Sequence, residues 1–209
     1  PEVDIAVDPL EGTIIVAKGH SNAMAVIAAA DKGTLLHAPD MYMEKIAVGK
    51  NAAGLIHLDD PIEKTIDIVA KANNKRVQDL NVIIQERERH QDLIERIRAK
   101  GARVSLFEDG DVSASIATAL PQTGIDLFVG IGGAPEGVIS AVALKALDGD
   151  MQARLVPYTK EEEDRCRDMG LEDPRQLLTF DDLVRGEDAI FAATGVSDGD
   201  LLAGVRSWG

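Results

Sequence analysis

The residues best equipped for chemistry lie in DPLEGT, residues 8–13. Asp8 and Glu11 straddle Pro9, whose fixed φ stiffens the turn, and Thr13 adds a hydroxyl two residues on. Two carboxylates this close repel one another if they face the same way. Either they diverge into water around an ordinary turn, or a cation sits between them. An all-oxygen donor set suits Mg²⁺ or Mn²⁺. Zinc is disfavoured, because His20, His37 and His57 are scattered without ligand spacing and read as structural.

Three more segments carry candidate groups. VGIGGAPEG, residues 129–137, offers Gly130, Gly132 and Gly133 for close backbone approach and Pro135 for a first helical turn. A dinucleotide G-x-G-x-x-G would need glycine at Pro135, and a Walker loop would need lysine at Val138, so both readings fail. What remains is a Gly-rich turn with Glu136 stabilising the helix dipole, or an anion site at the free amides of that helix start. FEDGDVSAS holds Asp109, Gly110 and Asp111, which read as a turn with Asp111 capping a helix, or as acceptors for sugar hydroxyls. QERERH holds Arg87 and Arg89, a basic pair on a surface loop or a fork for a phosphate, with His90 packing or capping beside them.

These segments need a scaffold to position them. Val3, Ile5 and Val7 mark a first strand, and GTIIVAKG, NAMAVIAAADKG, TLLHAP and MEKIAVG read as strand, helix, strand and strand. From Asn81 the pattern sharpens. NVII, RVSLF and IDLFVG are strands, and RHQDLIERIRAKG, DVSASIATAL and PEGVISAVALKAL are the helices after them. Three successive βα units imply a parallel sheet with right-handed crossovers. Ligands bind beyond the carboxyl ends of such strands, which points to the positions after Val7, Ile84, Phe107 and Val129. TKEEEDRCRDMG reads as a solvated helix, and TFDDLVRGEDAIFAATG as a short helix followed by a strand at 189–192.

Composition narrows the function classes. The chain has 209 residues, 45% of them apolar, enough for a sizeable core in one or two α/β units. A net charge of −14 argues against a nucleic-acid partner. No run of about 18 apolar residues is available to span a membrane. The start, Pro1-Glu2-Val3-Asp4, lacks the features of a signal peptide, and the single Cys166 fits a reducing cytoplasm. Cys166 reads as a surface-helix residue whose acidic neighbours raise its thiol pKa.

DPLEGT resembles the Asp-Pro-x-Asp/Glu-Gly-Thr signature of the metal-dependent, lithium-sensitive sugar and inositol phosphatases. HAPDMYMEKIAVG, DGDVSASI, GIGGAPEGVISAVALKALDG and FAATGVSDGDLLAGVR together resemble one branch, class II fructose-1,6-bisphosphatase, some of whose relatives act on sedoheptulose 1,7-bisphosphate. The resemblance implies a layered α/β sandwich, with a mixed sheet N-terminally and a βαβαβα parallel-sheet unit C-terminally. It divides the chain into an N-terminal metal-binding subdomain at 1–78 and a second α/β subdomain at 79–209. It further implies that Asp8, Glu11 and Glu136 bind Mg²⁺ or Mn²⁺, with Asp8, Glu11 and Thr13 catalytic and Thr13 helping to activate water. Glu11, Gly12, Thr13, Tyr42, Arg87, Glu88, Arg89, Asp109, Gly110, Asp111 and Gly133 would contact the sugar bisphosphate. The expected assembly is a homo-oligomer, a dimer or tetramer. The family usually reads Arg-Pro-Arg-His where this chain has Arg87-Glu88-Arg89-His90, a change that loosens the loop and adds a carboxylate. The family also carries acidic ligands in a segment before the Asp-Pro motif and continues past Gly209, so little turnover is expected from these 209 residues alone.

Overall fold

The alternation of Val3, Ile5 and Val7 with Asp4, Ala6 and Asp8 is a period of two, and it builds the first strand of a computed structural model that describes residues 2–208. In chain order the elements are β1 (Val3–Glu11), α1 (Thr13–Lys18), β2 (Met24–Asp31), β3 (Tyr42–Val48), α2 (Ile62–Ala72), β4 (Asn81–Gln85), α3 (Gln91–Lys100), β5 (Arg103–Phe107) and α4 (Asp111–Ala117). They continue as β6 (Leu127–Gly133), α5 (Ala134–Ala146), β7 (Asp150–Val156), α6 (Lys160–Asp168), α7 (Phe180–Leu183) and β8 (Ala189–Gly195). Pro1 and Gly209, which open and close the two expected subdomains, lie outside the described residues.

Two sheets form. One is antiparallel, in the order β1-β2-β8; the other is mixed, in the order β5-β4-β6-β3-β7. The expected βαβαβα unit is its parallel part: β4 pairs with β5 and with β6 in parallel, and α3, α4 and α5 follow the three strands. β3 then adds antiparallel to both β6 and β7. Both sheets draw strands from either side of residue 78, since β3 lies inside the second and β8 closes the first.

The layers follow from the buried faces. Met24, Val26 and Ala28 of β2 pack on α5, whose other side meets Met43, Ala47, Met151 and Ala153 of the mixed sheet. The far face of that sheet, with Ile46, Val82, Ile84 and Leu127, is covered by Ile66 and Val69 of α2 and Ile94 and Ile97 of α3. The stack is therefore sheet, helices, sheet, helices, an α/β sandwich. The outer face of β1 is uncovered: Val3, Ile5 and Val7 are 49%, 60% and 60% exposed. Helix α5 is apolar nearly all round because it lies between two sheets.

Several local expectations are corrected. GTIIVAKG is not a strand but holds the short helix α1, bounded by two left-handed glycines, Gly12 at φ 90° and Gly19 at φ 68°. NAMAVIAAADKG is not a helix but holds β2. Its alanines favour helix intrinsically, yet alternate residues are buried between β1 and β8, and pairing overrides propensity. TLLHAP forms no strand, only an isolated bridge from Leu35 to Val184. VGIGG is not a turn, because β6 runs on through Gly133. Asp111 does not cap α4; Gly110 holds the cap position and Asp111 is the first helical residue. Cys166 is fully buried, its thiol against Met41 Sδ at 3.6 Å, and burial, more than Glu162, pushes its pKa up. Helices α6 and α7 and strand β8 form where expected, and α3 stops at Gly101 in the left-handed region.

Candidate active site

The β1–α1 turn and the β5–α4 turn face each other. Asp109 Oδ2 accepts the Ile14 N–H at 3.1 Å, at the open start of α1. Glu11 Oε1 accepts the Val112 N–H at 2.8 Å, at the start of α4. These two bonds bring Glu11, Gly12, Thr13, Asp109, Gly110 and Asp111 into one neighbourhood, although β1 belongs to a different sheet from β5. The expected row of four strand ends is thus three parallel ends, of β4, β5 and β6, met by a fourth from across the helical layer. Asp8 turns back to accept the N–H of Leu10, two residues on in the same strand, at 3.0 Å, beside a shift in the β1–β2 register between Asp8 and Glu11. Thr13 is exposed on the first turn of α1.

Glu11 is 2% exposed. Burial raises its carboxyl pKa to about 8 against the Val112 bond, with the charges of Asp111, Asp8 and Asp109 adding to the rise. Its second oxygen, Oε2, is buried and accepts nothing from any described group, and Glu136 Oε2 is in the same state. A buried acceptor without a donor is costly, so each of these oxygens fits one position in the oxygen shell of a hard divalent cation. Among the described residues no three acidic, histidine or cysteine side chains close on one point, so a full shell needs other donors as well.

The β6 glycines are needed for what leans against them. A Cβ on Gly132 would stand inside the Asp111 carboxylate, and one on Gly133 inside the Glu136 carboxylate. At Gly130 it would press on the His90 ring at 3.3 Å. Three small residues thus let three polar side chains lie flat across the end of the mixed sheet. The free backbone approach expected of these glycines is used by the protein's own acids and imidazole.

Tyr42 pairs in register with Gly133, and Arg89 stacks over the Tyr42 ring at 5.0 Å. Arg89 is further held by the Ile131 carbonyl, 2.6 Å from Nη2 and 3.1 Å from Nε, and by Gln85 Oε1 at 3.0 Å. His90 pins this loop from beneath. Its Nε2 accepts the Ile131 N–H at 2.9 Å, so Nδ1 carries the proton donated to the Gln85 carbonyl at 2.8 Å. Burial lowers its pKa, with the Gln85 carbonyl opposing. Among the described residues Arg87 reaches only the Glu86 carbonyl, and Glu88 is exposed without a bond to the other candidates. The structure therefore gathers Tyr42, Arg89, Gly133 and Glu136 on one side and Glu11, Gly12, Thr13, Asp109, Gly110 and Asp111 on the other.

The residue joining the two groups is one that sequence reasoning missed. Lys45, its side chain 0% exposed, pairs with Asp111 Oδ2 and donates to the Gly133 carbonyl at 2.9 Å. Its signal was present in MEKIAVG: Lys45 shares a strand face with Met43 and Ala47, both core residues.

The family description that matches residues 1–209 is bacterial fructose-1,6-bisphosphatase, glpX-encoded. The chain is 47% identical over 220 residues to the D-fructose 1,6-bisphosphatase class 2/sedoheptulose 1,7-bisphosphatase of Synechococcus sp. (strain JA-3-3Ab), covering 100% of this chain and 63% of that protein. It is 44% identical over 220 residues to the fructose-1,6-bisphosphatase class 2 of Haemophilus influenzae, covering 99% of this chain and 66% of that protein. The chain thus spans just under two thirds of the length of these curated relatives. Matched end to end by the family pattern, the chain belongs to the glpX-encoded bacterial fructose-1,6-bisphosphatases.

Proposed function

We propose that the protein containing this chain hydrolyses fructose 1,6-bisphosphate to fructose 6-phosphate and phosphate with Mg²⁺ or Mn²⁺. The observation that carries this reading is the pair of buried carboxylate oxygens, on Glu11 and Glu136, left without a donor beside an arginine-bearing loop. Glu11, Glu136 and Asp8 would hold the metal, which when bound supplies charge neutralisation at the phosphate oxygens and a lowered pKa for water. Thr13 presents its hydroxyl from the rim of the cleft to orient the attacking water. Arg89 and Arg87 grip the phosphate that is not cleaved, turning remote binding into orientation of the reacting end. Asp109 and Asp111 accept the sugar hydroxyls, and Tyr42 and Gly133 flank the ring. Monoester hydrolysis is among the slowest uncatalysed reactions, so these groups together supply well over ~10 kcal/mol.

A second substrate, sedoheptulose 1,7-bisphosphate, is favoured by the name of the Synechococcus relative. Phosphate release from the two bisphosphates and from inositol monophosphate separates these substrates. Cytoplasmic placement and a dimer or tetramer complete the proposal. Glu136→Gln in the complete protein is expected to cut turnover about 10²–10³-fold at saturating Mn²⁺. Unchanged turnover removes Glu136 from the metal set, and tight sugar-phosphate binding with no phosphate released favours a sensor over an enzyme.

A further inference from the structure

Among the large side chains of the described residues that the fold withdraws fully from solvent, one is charged: Lys45. An ammonium group buried in an α/β core is strongly unfavourable unless it is paired and hydrogen-bonded, and a methionine would fill the same space without that requirement. The surroundings are shaped for the cation. On β3, Lys45 stands in register between Gly130 of β6 and Ala153 of β7, two small neighbours. Gly137 of α5 passes over its stem so closely that a Cβ there would lie 3.2 Å from Lys45 Cδ. The ammonium meets Asp111 Oδ2 on one side and the Gly133 carbonyl on the other.

Those two partners end different elements. Asp111 opens α4 after β5, and Gly133 closes β6 before α5, with the unpartnered Glu136 carboxylate folded over it. Asp111 is 8% exposed, and its Oδ1 makes no hydrogen bond among the described residues. Gly132 gives the carboxylate no room to swing back toward β6 without displacing the backbone. Asp111 is therefore clamped by one oxygen, with the other left for an incoming donor.

We infer that Lys45 is a positioning residue for the sugar: it clamps Asp111 through Oδ2 so that Oδ1 accepts a hydroxyl of the bound sugar phosphate, and through Gly133 it fixes that acceptor relative to the β6–α5 turn. This rests on the sugar-bisphosphatase reading and adds a residue to it. A neutral side chain at position 45 frees the carboxylate to rotate, so sugar affinity falls. The effect runs through Asp111 and vanishes where Asp111 can no longer act as the acceptor.

The test is a double-mutant cycle on the complete protein, with fructose 6-phosphate as the calorimetric probe. Lys45→Met and Asp111→Asn are each expected to weaken binding at least tenfold. The double variant is expected to bind no more weakly than Asp111→Asn alone. It also replaces the ion pair by two neutral groups, so it keeps the comparison with Asp111→Asn meaningful if Lys45→Met alone does not fold. A Lys45→Met protein that binds like the unmodified one overturns the inference. So does a double variant weaker than Asp111→Asn by another tenfold, which would make the lysine a general structural support. An unmodified complete protein that neither binds fructose 6-phosphate nor releases phosphate from the bisphosphate overturns the functional reading itself. A folded Lys45→Met protein with unaltered binding beside an active parent overturns Lys45 alone.

Discussion

Asp111 and Glu11 are two carboxylates buried in adjacent turns of one cleft, and the protein treats them differently. Asp111 faces a buried ammonium, whereas Glu11 has one backbone N–H and an oxygen with no partner. The first charge is answered from within the chain. The second has no partner among the described residues beyond that N–H, and burial drives its pKa to about 8. Depth alone does not distinguish the two acids; the inventory of partners does.

The largest expected effect concerns Glu11. Its folded pKa, about 8, lies above its ordinary value of 4.5, so the native state holds a proton that the unfolded chain has lost. The stabilising contribution is therefore full below pH 4.5 and disappears as pH rises through 8. At ~1.4 kcal/mol per unit the loss is about 5 kcal/mol across that window. Denaturant melts of chelator-treated protein from pH 5 to 9 should show this decline, and Glu11→Gln should flatten it. If both proteins lose stability in parallel, the two acids do not differ as described.

Asp111→Asn tests the other side of the comparison. Removing one member of a buried pair strands Lys45, at about 3–5 kcal/mol of stability. Glu11→Gln, by contrast, strands no cation and should leave metal-free stability at pH 8 unchanged or raised. Thermal melts of the two variants at that pH should move in opposite directions.

The way these acids are held explains what could be read in advance. The β4-to-α5 alternation was legible because apolar periodicity is a local signal, whereas the turn read at Asp8 and the cap read at Asp111 were not, since β1 runs on to Glu11 and Gly110 holds the cap. The roles of β2 and α1 were exchanged because alanine content favours helix and β-branched residues favour strand. Pairing with β8, more than 150 residues away, made the alanine run a central strand. Lys45 was missed as a site because a lysine in a strand reads as solvent-facing by default, although Met43 and Ala47 on its strand face already pointed inward. The assembled neighbours, Gly133 and Asp111, show what it pairs with. The β6 glycines were read as positions where a ligand comes close; what the fold lays against them is the chain's own Asp111, Glu136 and His90 side chains.

Gly132→Ala is a smaller perturbation on the Asp111 side. The added methyl must displace the carboxylate, an overpacking cost of about 1–3 kcal/mol. Because the displaced group is the proposed sugar acceptor, the same variant should also weaken fructose 6-phosphate binding. Gly124→Ala, placed in an open turn with nothing within 4 Å, gives the control: backbone strain without loss of binding. Equal binding losses in the two variants would separate the Asp111 position from sugar recognition.

The smallest effect is expected at the exposed end of the cleft. Arg89 is held by the Ile131 carbonyl, by Gln85 and by the Tyr42 ring, so its guanidinium is ordered before any phosphate arrives. Arg89→Lys keeps the charge but loses the planar fork and the stack. Binding of the bisphosphate should weaken about tenfold, or ~1.4 kcal/mol, with kcat nearly unchanged, because the contact proposed for Arg89 is to the phosphate that does not react. Fructose 1-phosphate, which lacks that group, supplies the decisive comparison. Its KM should be the same for both proteins, and a tenfold change there would mean that Arg89 acts on the reacting phosphate, on the same side of the cleft chemistry as Glu11.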